Sequence, residues 1–88
     1  MRKSIINLVL QADKNNNIDF VPTVNRFIHN ELEQPDTTLN SSAECMEYMS
    51  SLDNEDFICL YIILINKVKN LTFEEEDSLI KAAQIFSQ

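Results

Sequence analysis

The 88-residue chain contains no glycine, and that absence constrains its fold more than any residue present. Average usage of about 7% would place roughly six glycines in a chain of this length. Devices that need a backbone position comfortable only for glycine therefore cannot be written here: a phosphate-cradling loop, a dinucleotide fingerprint, a nucleophile elbow or an Asn-Gly hairpin. What remains natural is a set of helices joined by turns built from other residues. Ten asparagines are available for this, and asparagine is the next best residue for the left-handed conformation that ends a helix.

Phe57 to Ile65 is an uninterrupted run of nine apolar residues. Its residue types suit a strand. The acidic start at Asp53 and Asp56, the continuation to Val68 and the lack of a partner strand elsewhere favour a buried central helix. The run is too short to cross a membrane, which takes about twenty apolar residues.

The flanking segments carry helical periodicity. Ile5, Leu8, Val9 and Ala12 recur at i, i+3, i+4 and i+7, and the polar run Asp13 to Asn17 should stop that first helix. Asp19 is placed to cap a second helix with its carboxylate, Pro22 is tolerated in the first turn, and Val21, Val24, Ile28 and Leu32 follow before Pro35. Ser41 and Glu44 have the spacing of a capping box ahead of Cys45, Met49 and Leu52. Thr72 and Glu75 repeat that spacing before Leu79, Ile80, Ala83 and Phe86, and Asn70 is placed to close the preceding helix. The expected architecture is all-α: one domain over residues 1–88, a compact bundle of four to five short helices around a buried central helix, with sequential helices as antiparallel neighbours.

Seven basic against fourteen acidic residues give a formal net charge of −7. That balance disfavours the phosphate contacts of direct nucleic-acid binding and repels anionic lipid surfaces. Residues 45 to 88 hold most of the excess, with eight acidic and three basic groups. Cys45 and Cys59 have thirteen residues between them, no CxxC is present, and His29 is the single histidine. This spacing offers no zinc framework, so both cysteines read as small buried hydrophobes in a reducing, cytoplasmic setting. The apolar stretch after Arg2 and Lys3 is broken by Asn7 and is too short for a secretory signal.

Asp13-Lys-Asn-Asn-Asn-Ile-Asp-Phe resembles the start of an EF-hand calcium loop over eight residues. It lacks the glycine of the sharp turn and the terminal glutamate that chelates the ion, so it reads as a polar turn. His29 has no sequence-encoded nucleophile or orienting partner, and Tyr48 and Tyr61 read as core aromatics with wet hydroxyls. The last two helices do not suit a DNA-reading helix-turn-helix, because the second would present Glu74, Glu75 and Glu76 to phosphates. Residues 52–72 also resemble the small Hha-type bacterial modulators over about twenty residues, with no specific motif and a charge that does not fit them, and no residue role follows.

These residues point away from catalysis and from any cofactor or metal. The function expected is that of a small acidic regulatory or inhibitory protein that binds another protein, one with a basic surface. The candidate contact residues are Asp53, Glu55 and Asp56 at one helix start and Glu74, Glu75, Glu76 and Asp77 at another. Alternatives are an assembly subunit that forms a homodimer or larger homo-oligomer, and a DNA mimic whose carboxylates imitate phosphates.

Overall fold

A computed structural model of the protein describes residues 2–86, and of Phe86 the backbone alone. The apolar run is helical. It lies in α4 (Asn54–Lys67), the fourth of five helices: α1 (Arg2–Ala12), α2 (Phe20–Asn30), α3 (Ser42–Ser50), α4 and α5 (Phe73–Phe86), with no strand among the described residues. The apolar run contains a helical stripe that its uniform composition conceals. Phe57, Leu60, Tyr61, Leu64 and Ile65 fall at i, i+3, i+4, i+7 and i+8 and are all buried. Glu55, Cys59, Ile62 and Asn66 form the opposite stripe and face solvent. Cys59 therefore departs from the expectation that both cysteines are buried, whereas Cys45 lies in the core.

All five helices contribute to one continuous cluster of buried side chains. α4 packs against α1, α2 and α5, and α1 packs in addition against α3 and α5. Of the sequential pairs, α2 with α3 and α4 with α5 pack along each other, but α1 with α2 and α3 with α4 do not. The expectation that sequential helices are neighbours is met by two of the four pairs. The reason lies in α1, whose buried side is set by Ile5, Ile6 and Val9 and is wide enough to serve three non-sequential helices.

The same choice corrects the expected face of α1. Ile6 and Leu8 stand about 200° apart around a helix, so they cannot share one core face. Ile6 is wholly buried and Leu8 is 47% exposed.

Local chemistry at the helix ends explains how a chain without glycine turns. Left-handed backbone falls on Asn16, Asp19, Glu33 and Asn70, so asparagine takes two of these four positions and acidic residues the others. Asp19 precedes α2 with φ 56° and makes no side-chain cap bond, contrary to expectation. Asp13 organises this loop instead: its carboxylate accepts the amides of Asn17 and Ile18, each at 2.8 Å. Inside the start of α2, the Thr23 hydroxyl donates to the Ile18 carbonyl at 2.6 Å. The loop that resembles a calcium site thus spends its most buried carboxylate on its own backbone.

Arg2 joins α1 to the α3–α4 connection. Its guanidinium donates to the Ser50 carbonyl at 3.1 Å, to the Leu52 carbonyl and to Asn54 Oδ1, and lies 4.6 Å from the centroid of the Phe57 ring. A cation at a helix C-terminus satisfies carbonyls that have no intrahelical partner. Tyr61 ties α4 to α1 from inside, its buried hydroxyl donating to the Ile5 carbonyl at 2.8 Å. The wet hydroxyl expected of Tyr61 is therefore a dry one, and burial pushes its ionisation up to about 12. Among the described residues, no helix is long and apolar enough to cross a membrane.

Candidate functional site

The start of α5 is built by Thr72 and Glu75. The Glu75 amide donates to Thr72 Oγ1 at 3.1 Å, and the Thr72 amide donates back to Glu75 Oε1 at 3.2 Å. Both halves of the capping box are present, so two orphan amides are satisfied without help from the rest of the fold. These bonds, with Lys14 nearby, hold the Glu75 carboxyl below its ordinary range. The Ser41 box at α3 is less complete. The Glu44 amide donates to Ser41 Oγ at 3.1 Å, but Glu44 Oε1 meets the hydroxyl at 3.3 Å rather than the Ser41 amide.

With the helix start secured internally, its remaining side chains point outward. Glu74 and Glu76 are exposed, while Asp77 is half-exposed and pairs with Lys81 at 2.9 Å. Between the capping threonine and these carboxylates stands Phe73, 84% exposed and the most exposed of the large apolar side chains described. Phe73, Glu76, Asp77 and Ile80 line a small hollow of about 110 Å³ on one flank of α5. On the other flank Glu74, Glu75, Ser78 and Leu79 face Leu8 and Ala12 of α1 across an open trough of about 430 Å³, with Thr72 at its end.

The other acidic start is differently placed. Asp53 precedes α4 without a side-chain cap bond, and its carbonyl accepts the Phe57 amide at 2.8 Å. Asp53 and Glu55 are exposed and Asp56 is half-buried. The Arg2 bond to Asn54 puts this start beside the beginning of α1, whereas the trough puts the start of α5 beside the end of α1. The full length of α4 separates the two, about 20 Å at the usual rise per residue. The structure thus does not bring the two acidic starts into one patch. At a physiological screening length of about 8 Å they act as separate surfaces.

The remaining candidate groups are engaged elsewhere. His29 Nε2 lies 2.6 Å from the Thr37 carbonyl, and since a carbonyl only accepts, this nitrogen carries the proton. Tyr48 donates to Gln34 Oε1 at 2.8 Å. A further open hollow is lined by Leu39, Ala43, Glu44, Glu47, Tyr48 and Ser51, but Glu44 faces its own cap and Glu47 pairs with Lys3. Among the described residues no three His, Cys, Asp or Glu side chains are grouped to hold a metal ion.

Comparison with family models, with curated proteins and with solved structures finds no match to this chain. The site is therefore read from its own residues.

Sequence reasoning singled out the carboxylates and missed Phe73 and Leu8. A signal for Phe73 was present: it falls about 120° around the helix from Leu79 and directly follows the capping threonine. For Leu8 there was none, because its spacing fits a core face as well as Ile6 does.

Proposed function

We propose that the protein is a small acidic regulatory or inhibitory protein that acts by docking on another protein through the start of α5. The observation that carries this reading is Phe73, held 84% exposed between Thr72 and the carboxylates of Glu74, Glu76 and Asp77. A large aromatic side chain that becomes enclosed by a partner is the kind of anchor that dominates binding energy, and charged residues around it set orientation and encounter rate. The partner that fits is a protein with an apolar socket rimmed by Lys and Arg. A net charge of −7 steers such a partner from beyond contact distance. The free thiols of Cys45 and Cys59 suit a cytoplasmic site of action, where thiols stay reduced.

The test is affinity capture from the native host with the parent chain, Phe73→Ser and the double variant Glu74→Lys/Glu76→Lys. Capture of a basic partner should weaken as salt rises from about 0.1 M to about 1 M, and both variants should lose it while keeping the parent's circular dichroism. Capture unchanged in Phe73→Ser would remove the α5 start as the docking site.

A further inference from the structure

The trough between α1 and α5 is a further surface feature that the packing leaves open. Leu8, Ala12 and Leu79 give it apolar lining, and Thr72, Glu74, Glu75 and Ser78 give it polar lining. Leu79 is 7% exposed and belongs to the core, whereas Leu8 is 47% exposed and half in water. Ala12 and Ser78 are short side chains, and the space they do not fill is what makes the trough.

Charge selects the occupant. A second copy of this chain would bring its own net charge of −7 against the same surface, and a two-fold contact here would set like carboxylates against each other. Anionic lipid and nucleic acid are repelled for the same reason. A small molecule would be left largely in solvent, whereas ligand pockets enclose most of their ligand. An amphipathic helix fits on both counts: apolar side chains at i and i+4 lie along Leu8, Ala12 and Leu79, and a Lys or Arg beside them meets Glu74. Glu74 is the carboxylate available for this. Glu75 is committed to Thr72 and has Lys14 nearby, and the ion pairs among the described residues are Lys3–Glu47 and Lys81–Asp77.

We infer that the α1/α5 trough is a seat for a basic amphipathic helix of the partner protein, an inference that rests on the reading that the protein works by binding a basic partner. Phe73 stands about 140° around α5 from Ser78, so although Glu74 borders both, the seat and the Phe73 anchor are separable by substitution at Leu8 or Ser78 and at Phe73.

The probe is a synthetic Leu/Lys peptide of about five helical turns with one apolar face, set against a permuted peptide of identical composition with no apolar face. Both are titrated into the isotopically labelled full chain and followed by amide chemical shifts and fluorescence anisotropy. Shifts should concentrate at residues 8–12 and 74–79, and the permuted peptide should bind at least about tenfold more weakly. Leu8→Asp should weaken binding by about tenfold or more, the scale of a lost anchor. Because Leu8 lines the trough beside the buried Leu79, Ser78→Trp provides a second block from an exposed position; it fills the trough without a charge change and should weaken binding similarly. Equal binding of the two peptides, or undiminished binding to both variants, would overturn the seat. Neither outcome touches the Phe73 docking site, which is decided by the Phe73→Ser capture. Loss of capture there with the trough variants still active in capture would keep the docking and discard the seat.

Discussion

Helices α4 and α5 have the same length, fourteen residues, and both begin with acidic residues, yet they are held by opposite means. α4 buries Phe57, Leu60, Tyr61 and Leu64 completely and begins at Asp53 with no side-chain cap bond. α5 buries Leu79 and Ala83, leaves Phe73 and Ile85 exposed, and begins with a complete capping box. Where tertiary burial is plentiful, the helix start can do without local satisfaction. In α5 burial is thinner and the local signal is complete, and the side chains freed from packing become available to a partner.

Phe57→Ala should destabilise the protein by about 3 to 5 kcal/mol, because it removes a wholly buried ring and leaves a cavity; denaturant unfolding measures it. A loss below about 1 kcal/mol would mean that α4 is not the element the core depends on.

Alkaline pH probes the same helix without a cavity. Tyr61 ionises near 12 in the folded chain and near 10 when unfolded. The unfolded state loses its proton first, so this contribution is complete below about pH 10 and is lost as pH rises toward 12, on the order of 2 kcal/mol. Thermal melts across that range should show the decline, and Tyr61→Phe should flatten it. Other groups also titrate there, so the measured quantity is the difference between the two proteins.

On the α5 side, Thr72→Ala should cost about 1 kcal/mol, the usual value of a lost N-cap. Hydrogen exchange should then speed up in α5 before it does in α4. Asp53→Ala should cost less than this, since no side-chain bond is lost and only the favourable charge at the helix start goes, about 0.3 to 1 kcal/mol. A larger loss for Asp53→Ala than for Thr72→Ala would reverse the contrast between the two helices.

Glu75 adds a weaker, acid-side check. Its carboxyl is depressed in the folded chain by its bonds to Thr72, so its contribution is present above the unfolded carboxyl range and fades as pH falls through the folded value. Glu75→Gln should make α5 less sensitive to acid. The smallest stability effect belongs to Phe73→Ser, which should stay within about 0.5 kcal/mol of the parent because the ring is out in solvent. A markedly destabilised Phe73→Ser protein would show that the ring has a structural role and would weaken the docking proposal.

Much of this is legible in the amino-acid sequence. The absence of glycine, the two boxes at Ser41/Glu44 and Thr72/Glu75 and the polar stop at Asp13 are local features, and they place helix boundaries because capping and turn formation are decided by residues a few positions apart. Even there, Asp19 misled: its position suits a cap, but the adjacent Asp13 carboxylate reaches the loop amides from inside and leaves Asp19 in left-handed backbone.

What only the tertiary structure decided is which face of each helix looks inward and which helix ends meet. A run of nine apolar residues has no inward side until neighbours are chosen, so the exposure of Cys59 and Ile62 was not written in it. The separation of the two acidic starts likewise follows from α4 running its whole length between them, and the exposure of Leu8 from Ile6 taking the core side of α1. The physical reason is common to all three. Hydrogen-bonded caps and turns are local and directional, but burial is non-directional and is settled only when every helix has competed for the same interior.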